Sequence, residues 1–364
     1  MKTDVVIVGN GIAGSVLSLL LKQKQISHAV LSRTVGRRDF ALAETLPPTA
    51  LPLLRRLQLL ELFEQSAIQK TFGYHSLWGS NRIIDHNFFG YSPFKYGLKL
   101  DKQALLRRMT EQVESHLVPC LEQPGIRVEP SGITIEIGRA KTISAKLIVD
   151  ATGRNRAVLN LMKIPVAEHD SLVSFSCHAP RIKHPRLTHG VYVESFEHGW
   201  GMASTLNDRE NVITLFTHRG NRIQKEMKKY RNWPSLLSDT IYLKDFLTLA
   251  DRRVVGGNAN SSLAEQSAGR NWLAVGDAAM AFDPLSSHGI TNALYTASQA
   301  AAAIETNLTA GGEAPLRAYS DSLASIGAAY LKAKHDLYSQ ERRWPGATFW
   351  LAAQKDGPAR GASY

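Results

Sequence analysis

Three short segments of this 364-residue chain set glycines and acids where a bound dinucleotide would need them. In Val5-Val-Ile-Val-Gly9-Asn-Gly11-Ile-Ala13-Gly14 an apolar strand stops at Gly9, which permits a tight bend. Gly11 then lets backbone approach a pyrophosphate, and Gly14 lets the following helix pack closely on the strand. That helix aims free N–H groups and its positive dipole end at the phosphates. A second apolar run, Leu147-Ile-Val-Asp150-Ala-Thr-Gly153-Arg154, ends in an acid and a glycine and would deliver backbone to a nucleotide. The third, Trp272-Leu-Ala-Val-Gly276-Asp277, continues through Pro284, Ser287, His288, Gly289 and Ile290 into a turn that opens a helix.

In this order the three segments describe an FAD site. One element departs from the pattern. The strand at His28–Leu31 should end in an acid that holds the ribose, yet it ends in Ser32 and Arg33. Serine can still hydrogen-bond a ribose hydroxyl, and the arginine can lie along the adenine or reach a phosphate.

On these motifs the chain resembles the glutathione-reductase-type flavoproteins, and within them the aromatic-hydroxylase and flavin-dependent halogenase branch. The resemblance implies that Asp277 binds the ribityl and pyrophosphate region. It also implies that the Pro284–Ile290 turn brings backbone N–H groups to flavin N1 and O2, where a helix N-terminus favours developing negative charge. Glu44-Thr45-Leu46-Pro-Pro resembles the halogenase-type loop beside the isoalloxazine ring, and Glu341-Arg-Arg343-Trp344-Pro345-x4-Trp350 resembles a C-terminal signature of halogenase-like proteins. The subgroup most similar comprises the accessory flavoproteins that mature cysteine tryptophylquinone enzymes such as lysine ε-oxidase and glycine oxidase. The resemblance therefore implies a protein substrate, the precursor of a quinoprotein oxidase.

Two local departures separate halogenation from oxygenation. Halogenases of this type carry a Trp-x-Trp-x-Ile-Pro run where this chain reads Gly199-Trp200-Gly201-Met-Ala-Ser204, keeping the first Trp alone. They also place a lysine a few residues before a Trp resembling Trp78, and here the stretch Phe72 to Leu77 has none, with Lys70 the nearest. Direct hydroxylation of an aromatic ring through a C4a-hydroperoxyflavin does not need that ammonium; it needs a dry site, a positioned ring and an acid for the leaving alkoxide. His288, Tyr74 and His75 are the candidates for that acid. The alternatives for His288 are a helix cap or a solvated surface position, and for Tyr74 packing in the core. A halogenase, a small-molecule hydroxylase and a flavin-binding chaperone of a quinoprotein remain the competing readings. No second Gly-x-Gly-x-x-Gly marks a resident NAD(P)H domain, so electrons would come from transiently bound NAD(P)H or a separate flavin reductase.

These residues must be positioned by an α/β fold: a glutathione-reductase-type, Rossmann-like FAD-binding domain, an antiparallel β-sheet substrate domain and C-terminal helices. The pattern predicts a strand at 4–8, a helix at 12–24, a strand at 28–32, a helical stretch near 49–62, a helix from Lys102 to about 116 and strands around 126–150. Residues 165–255 alternate apolar and polar residues, as in Val191–Phe196 and Asn211–Phe216, the period of an antiparallel sheet with one covered face. His198-Gly199-Trp200-Gly201 reads as the hairpin turn between those strands. The FAD-binding domain is assigned to 1–70, 100–164 and 256–310, the substrate domain to 71–99 and 165–255, and the helical region to 311–364.

Composition sets the remaining bounds. A net charge of +11 and a pI near 9.6 arise from cations scattered in pairs such as Arg37-Arg38 and Lys228-Lys229, with no basic tail, so a nucleic-acid partner is not expected. The same field suits an acidic protein or an anionic cofactor. No run approaches the ~20 apolar residues of a membrane span and no leader precedes the first strand, which points to no membrane association and a cytoplasmic location. Cys120 and Cys177 are too few for a disulfide framework, and without His-x-x-x-His or Cys-x-x-Cys spacing no metal centre is expected.

Overall fold

The computed structural model describes residues 1–32, 40–120, 124–129, 132–137 and 141–355. Its central sheet has six strands in the order Ala268–Gly269, Trp272–Ala274, Leu147–Asp150, Val5–Val8, His28–Ser32 and Leu117–Pro119. All pairings are parallel except that of the Ala268–Gly269 edge strand. Val5–Val8 and Leu147–Asp150 are buried along their whole length, as expected of parallel strands covered on both faces. The Ile12–Gln23 helix packs on this sheet beside the long Gly289–Ala310 helix. Asp101, just ahead of the Lys102–Gln112 helix, caps it by accepting from the N–H groups of Gln103 and Ala104.

A second, seven-stranded sheet runs in the order Val255–Asn258, Leu172–Pro180, Glu210–His218, Gly199–Thr205, Val191–Phe196, Gly73–Leu77 and Ile84–Asn87. It is antiparallel except where Val191–Phe196 meets Gly73–Leu77. Gly97–Leu100 instead pairs with Glu44–Leu46 and Ala67–Thr71 in a small sheet between the two large ones.

Three expectations need correction. The stretch 49–62 is two short helices, Leu51–Arg56 and Leu60–Glu64, because Gln58 takes a left-handed φ of 60° and ends the first. The hairpin turn is Glu197–His198 alone; Gly199, Trp200 and Gly201 already lie in the next strand, paired with Phe196, Ser195 and Glu194. Finally, the large sheet is covered on both faces. One face carries Phe175, Tyr192, Ile213, Trp233 and Phe246, and the other Trp78, Trp200, Tyr338, Phe349 and Trp350. Some of the polar positions that suggest an exposed face are buried and satisfied inside, Glu194 among them. Glu194 is buried and accepts from the Tyr192 hydroxyl and the N–H groups of Ile241, Tyr242 and Leu243.

The C-terminal signature fastens the helices to this second face. The buried Glu341 carboxylate takes the Ser195 hydroxyl at 2.7 Å, the Gly79 N–H at 2.9 Å and the Arg343 guanidinium. Desolvation pushes its pKa up, but the bonds from Arg343 and Ser195 outweigh that and leave it below the usual carboxylate range. Trp350 donates to the Phe196 carbonyl and Trp78 to that of Leu337.

Candidate active site

The first turns of two helices converge on Gly276. Its φ is +61°, and a Cβ there would come 2.8 Å from Ala13 Cβ on one helix and 3.9 Å from Ala293 on the other. Neither the Ile12–Gln23 nor the Gly289–Ala310 helix has a side-chain cap or an acid in its first turn, so two positive dipole ends face the same region uncompensated. The glycines divide by what surrounds them. A Cβ on Gly14 would lie 2.0 Å from the Gly9 carbonyl oxygen, and one on Gly9 would lie 2.6 Å from that of Ala151. On Gly11, Gly153 and Gly289 a Cβ would meet nothing within 4 Å. Gly9, Gly14 and Gly276 therefore serve packing, while Gly11, Gly153 and Gly289 keep backbone open on the side a ligand would occupy.

Side chains complete the rim. Asp277 is 36% exposed, yet surrounding protein desolvates its carboxyl enough to raise its pKa, the pattern of a group on the wall of a deep recess. Arg154 stands 3.6 Å from it and donates to the carbonyls of Asn260 and Phe282, tying the second motif to the third. Arg154 adjoins Gly153 in the sequence, where nothing in its spacing marks it as a rim residue. Asp150 is wholly buried. Its Oδ1 accepts from the Thr152 N–H and hydroxyl and its Oδ2 from the N–H groups of Val158 and Leu159, so it shapes the loop and leaves contact to the backbone. Glu44 pairs with Lys102 at 2.7 Å, and both charges act on Asp277, which brings the Glu44–Leu46 strand to this rim.

The other predicted contacts distribute unevenly. Ala13, Leu46 and Ile290 are core side chains whose backbone alone is available. Ser32 ends its strand half-buried, and Arg33 lies outside the described residues. Pro284 is exposed, and Asp283 just before it accepts from the Leu285 N–H and the Tyr338 hydroxyl. Ser287 takes a left-handed φ of 53°, and His288 follows as the residue before the helix. His288 is exposed to water, while desolvation by its surroundings lowers its imidazole pKa; like Asp277 it borders a concavity.

Strand alternation separates Tyr74 from His75. His75 pairs in register with Tyr192 and lies two residues before Leu77, both in the cluster on the sheet's far face. There it stacks on His189 at 4.9 Å and lies 3.8 Å from Asp85, with its Nδ1 unpartnered. Tyr74 shares the opposite face with Ser76 and Trp78. That face turns to the nucleotide half, since Leu285 of the Pro284–Ser286 turn packs against the same apolar cluster, containing Trp78, as Val193 and Met202. Tyr74 stacks on His86 at 4.3 Å, and His86 hydrogen-bonds Ser76 at 2.8 Å. Burial raises the Tyr74 phenol pKa and lowers the His86 imidazole pKa, leaving both neutral near pH 7. His86 carries no signal in sequence; the hairpin brings it beside Tyr74. Trp200 is a packing residue, stacked on Phe216 at 3.8 Å with its N–H on Tyr338.

Open glycine backbone at two helix N-termini, with an acid on the wall between them, fits a dinucleotide that carries a second ring system. The model of the FAD binding domain family matches residues 2–334. The chain belongs to that family. It is a FAD-dependent oxidoreductase of the flavoprotein monooxygenase and halogenase type. Over 95% of both chains this flavoprotein is 26% identical to the putative FAD-dependent oxidoreductase LodB of Marinomonas mediterranea. Its fold is similar to that of QhpG, a peptidyl tryptophan dihydroxylase essential for tryptophylquinone cofactor biogenesis, with a TM-score of 0.75 and 22% identity over 97% of this chain and 79% of QhpG. It is also similar to the flavin-dependent halogenase CmlS, with a TM-score of 0.82 and 20% identity over 97% of this chain and 68% of CmlS. Among the described residues no helix is long and apolar enough to cross a membrane.

Proposed function

We propose that this flavoprotein inserts oxygen into the ring of a tryptophan side chain carried by a partner protein, the precursor of a quinoprotein oxidase, as a step in building a tryptophylquinone cofactor. One observation carries the choice of oxygen over halogen: Lys70, the lysine that precedes Trp78 most closely in the sequence, and Lys99, whose amine reaches Ser204 of the large sheet, both have that group engaged by protein atoms. Lys70 holds its Nζ 4.0 Å above the Tyr96 ring, and Lys99 is wholly buried and bonded to two hydroxyls. The peptidyl substrate is supported by the likeness to QhpG, and the net charge of +11 suits an acidic protein partner.

Bound FAD would supply dioxygen activation, with electrons from NAD(P)H or a separate reductase. The chain's own contributions follow from its groups. The helix N-terminus at Gly289 stabilises negative charge placed against it. Asp277 accepts from ligand hydroxyls. The sheet face around Val193 and Met202 excludes water. Tyr74, kept protonated by burial, and His288, kept neutral, can each donate a hydrogen bond to a leaving oxygen.

The test is mass spectrometry of products from reduced, FAD-loaded enzyme with dioxygen and bromide. Free tryptophan and an unmodified oxidase precursor are offered separately. Addition of oxygen to the precursor is the expected result; a bromine mass shift overturns the oxygenase reading, and oxygen on free tryptophan alone overturns the protein substrate.

A further inference from the structure

Lys99 occupies the middle strand of the small sheet, Gly97–Leu100, and is 1% exposed. Burying an ammonium is costly unless its donors are satisfied, and such sites are seldom incidental. Its Nζ donates to Thr45 Oγ1 at 3.0 Å and to Ser204 Oγ at 2.5 Å. Thr45 belongs to the strand at the rim of the nucleotide recess, and Ser204 to the large sheet, where its hydroxyl donates in turn to the Gly190 carbonyl at 3.3 Å. One side chain thus crosses from the cofactor side to the substrate side. Its stem runs beside Gly190, whose Cβ, if present, would lie 3.7 Å from Lys99 Cδ and Cε.

We propose that Lys99 is a positioning residue that sets the direction of the Thr45 hydroxyl. An ammonium has donors and no acceptor, so while Lys99 is charged Thr45 accepts from it and its own hydrogen points elsewhere. A neutral amine has a lone pair, and Thr45 can then turn and donate to Lys99. The inference rests on the reading that Thr45 borders the flavin, because only then does the turn reach the cofactor.

Other groups around Nζ leave this exchange undisturbed. From the Glu44–Leu46 strand the nearby charge is Glu44, and its carboxylate is held by Lys102 at 2.7 Å. From the Ala67–Thr71 strand comes the uncharged Gln69, placed by its 3.1 Å approach to the Gly190 Cβ position. From the large sheet come the Ser204 hydroxyl and the Gly190 carbonyl. Desolvation pulls the Lys99 pKa down to about 7, with Glu44 opposing, so the exchange falls in the ordinary working range of pH.

The experiment is a pH titration, from about 5.5 to 9.5, of the absorbance of the oxidised FAD-loaded protein. The wild type should show a transition near neutral pH. Lys99→Met and Lys99→Arg should both abolish it, and so should Thr45→Val, which leaves Lys99 in place. A transition that persists in Lys99→Met or in Thr45→Val overturns the proposal, as does a wild type with none. If Lys99→Met does not fold, Lys99→Arg and Thr45→Val still decide. Unfolding midpoints give a readout that does not depend on FAD. With a folded pKa near 7 against 10.5 unfolded, the unfolded chain binds the extra proton between those values, so wild-type stability relative to Lys99→Met should rise with pH there and stay level below. A level difference throughout would refute the buried, titrating lysine itself. A rising difference with no change at the flavin would place the failure in the reading of Thr45 as a neighbour of the cofactor.

Discussion

The recess at the helix N-termini and the sheet face opposite it are built by different parts of the chain. In the recess, backbone does the binding. Gly11 and Gly289 are open, the helix dipoles are uncapped, and most predicted side chains, among them Ala13, Leu46, Asp150 and Ile290, are in the core or occupied by protein partners. On the sheet face, side chains do the work: Tyr74 on His86, His86 on Ser76, and Lys99 between Thr45 and Ser204. A ligand common to a whole family can be held by groups every residue owns, whereas a particular substrate has to be recognised by groups only some residues carry.

The sharpest way to break this comparison is a pair of alanines four residues or fewer apart. Gly14→Ala forces a Cβ to 2.0 Å from the Gly9 carbonyl, and should cost about 3 kcal/mol or more in chemical denaturation, with loss of FAD as a consequence. Gly11→Ala meets no protein atom within 4 Å and sits at an ordinary φ of −68°, so the apoprotein should unfold within about 0.5 kcal/mol of wild type while FAD affinity falls. Equal loss of stability in both would erase the division between packing and ligand glycines.

Next in size is the effect of pH through Asp283, which underpins the turn that joins the two regions. Burial raises its carboxyl pKa from 3.8 to about 6, with Lys334 opposing. The folded state then holds a proton that the unfolded state releases, so this group's contribution is fully present below pH 3.8 and is lost as pH rises through about 6. Asp283→Asn should therefore gain on wild type across that window, by on the order of 3 kcal/mol. Thermal unfolding at matched ionic strength would show it, and a difference independent of pH would count against a buried, protonated Asp283.

Asp277→Ala tests the side chain on the recess wall. Removing an acceptor for ligand hydroxyls should weaken FAD binding by about 1–3 kcal/mol, roughly one to two decades, with the fold intact. Unchanged affinity in titration calorimetry would move the cofactor away from this wall.

The smallest effect is expected from the two faces of one strand. Tyr74→Phe should lower turnover by about tenfold by removing one hydrogen bond, whereas His75→Gln, on the far face, should stay within about twofold. Comparable losses from both would mean that strand alternation does not decide which residue reaches the substrate.

The amino-acid sequence by itself determined the nucleotide half. An apolar strand, a glycine turn and a helix are local in the chain, and Gly9, Gly11 and Gly14 write their roles into a spacing of a few residues. Asp150–Gly153 and Gly276–Asp277 were legible for the same reason. What local pattern could not show is which of these glycines are packed and which are open, because apart from Gly14, closed by the Gly9 carbonyl, the deciding atoms lie far along the chain, on Ala151 for Gly9 and on Ala13 for Gly276. The alternation across 165–255 revealed strands, but an exposed face was inferred from polar residues such as Glu194 that tertiary contacts from 241–243 bury and satisfy. Tyr74 and His75 are adjacent in sequence, and only the sheet register sends them to opposite sides. Lys99, Thr45 and Ser204 are separated by 54 and 105 residues from the lysine, so their meeting is a property of packed sheets that no window of sequence contains.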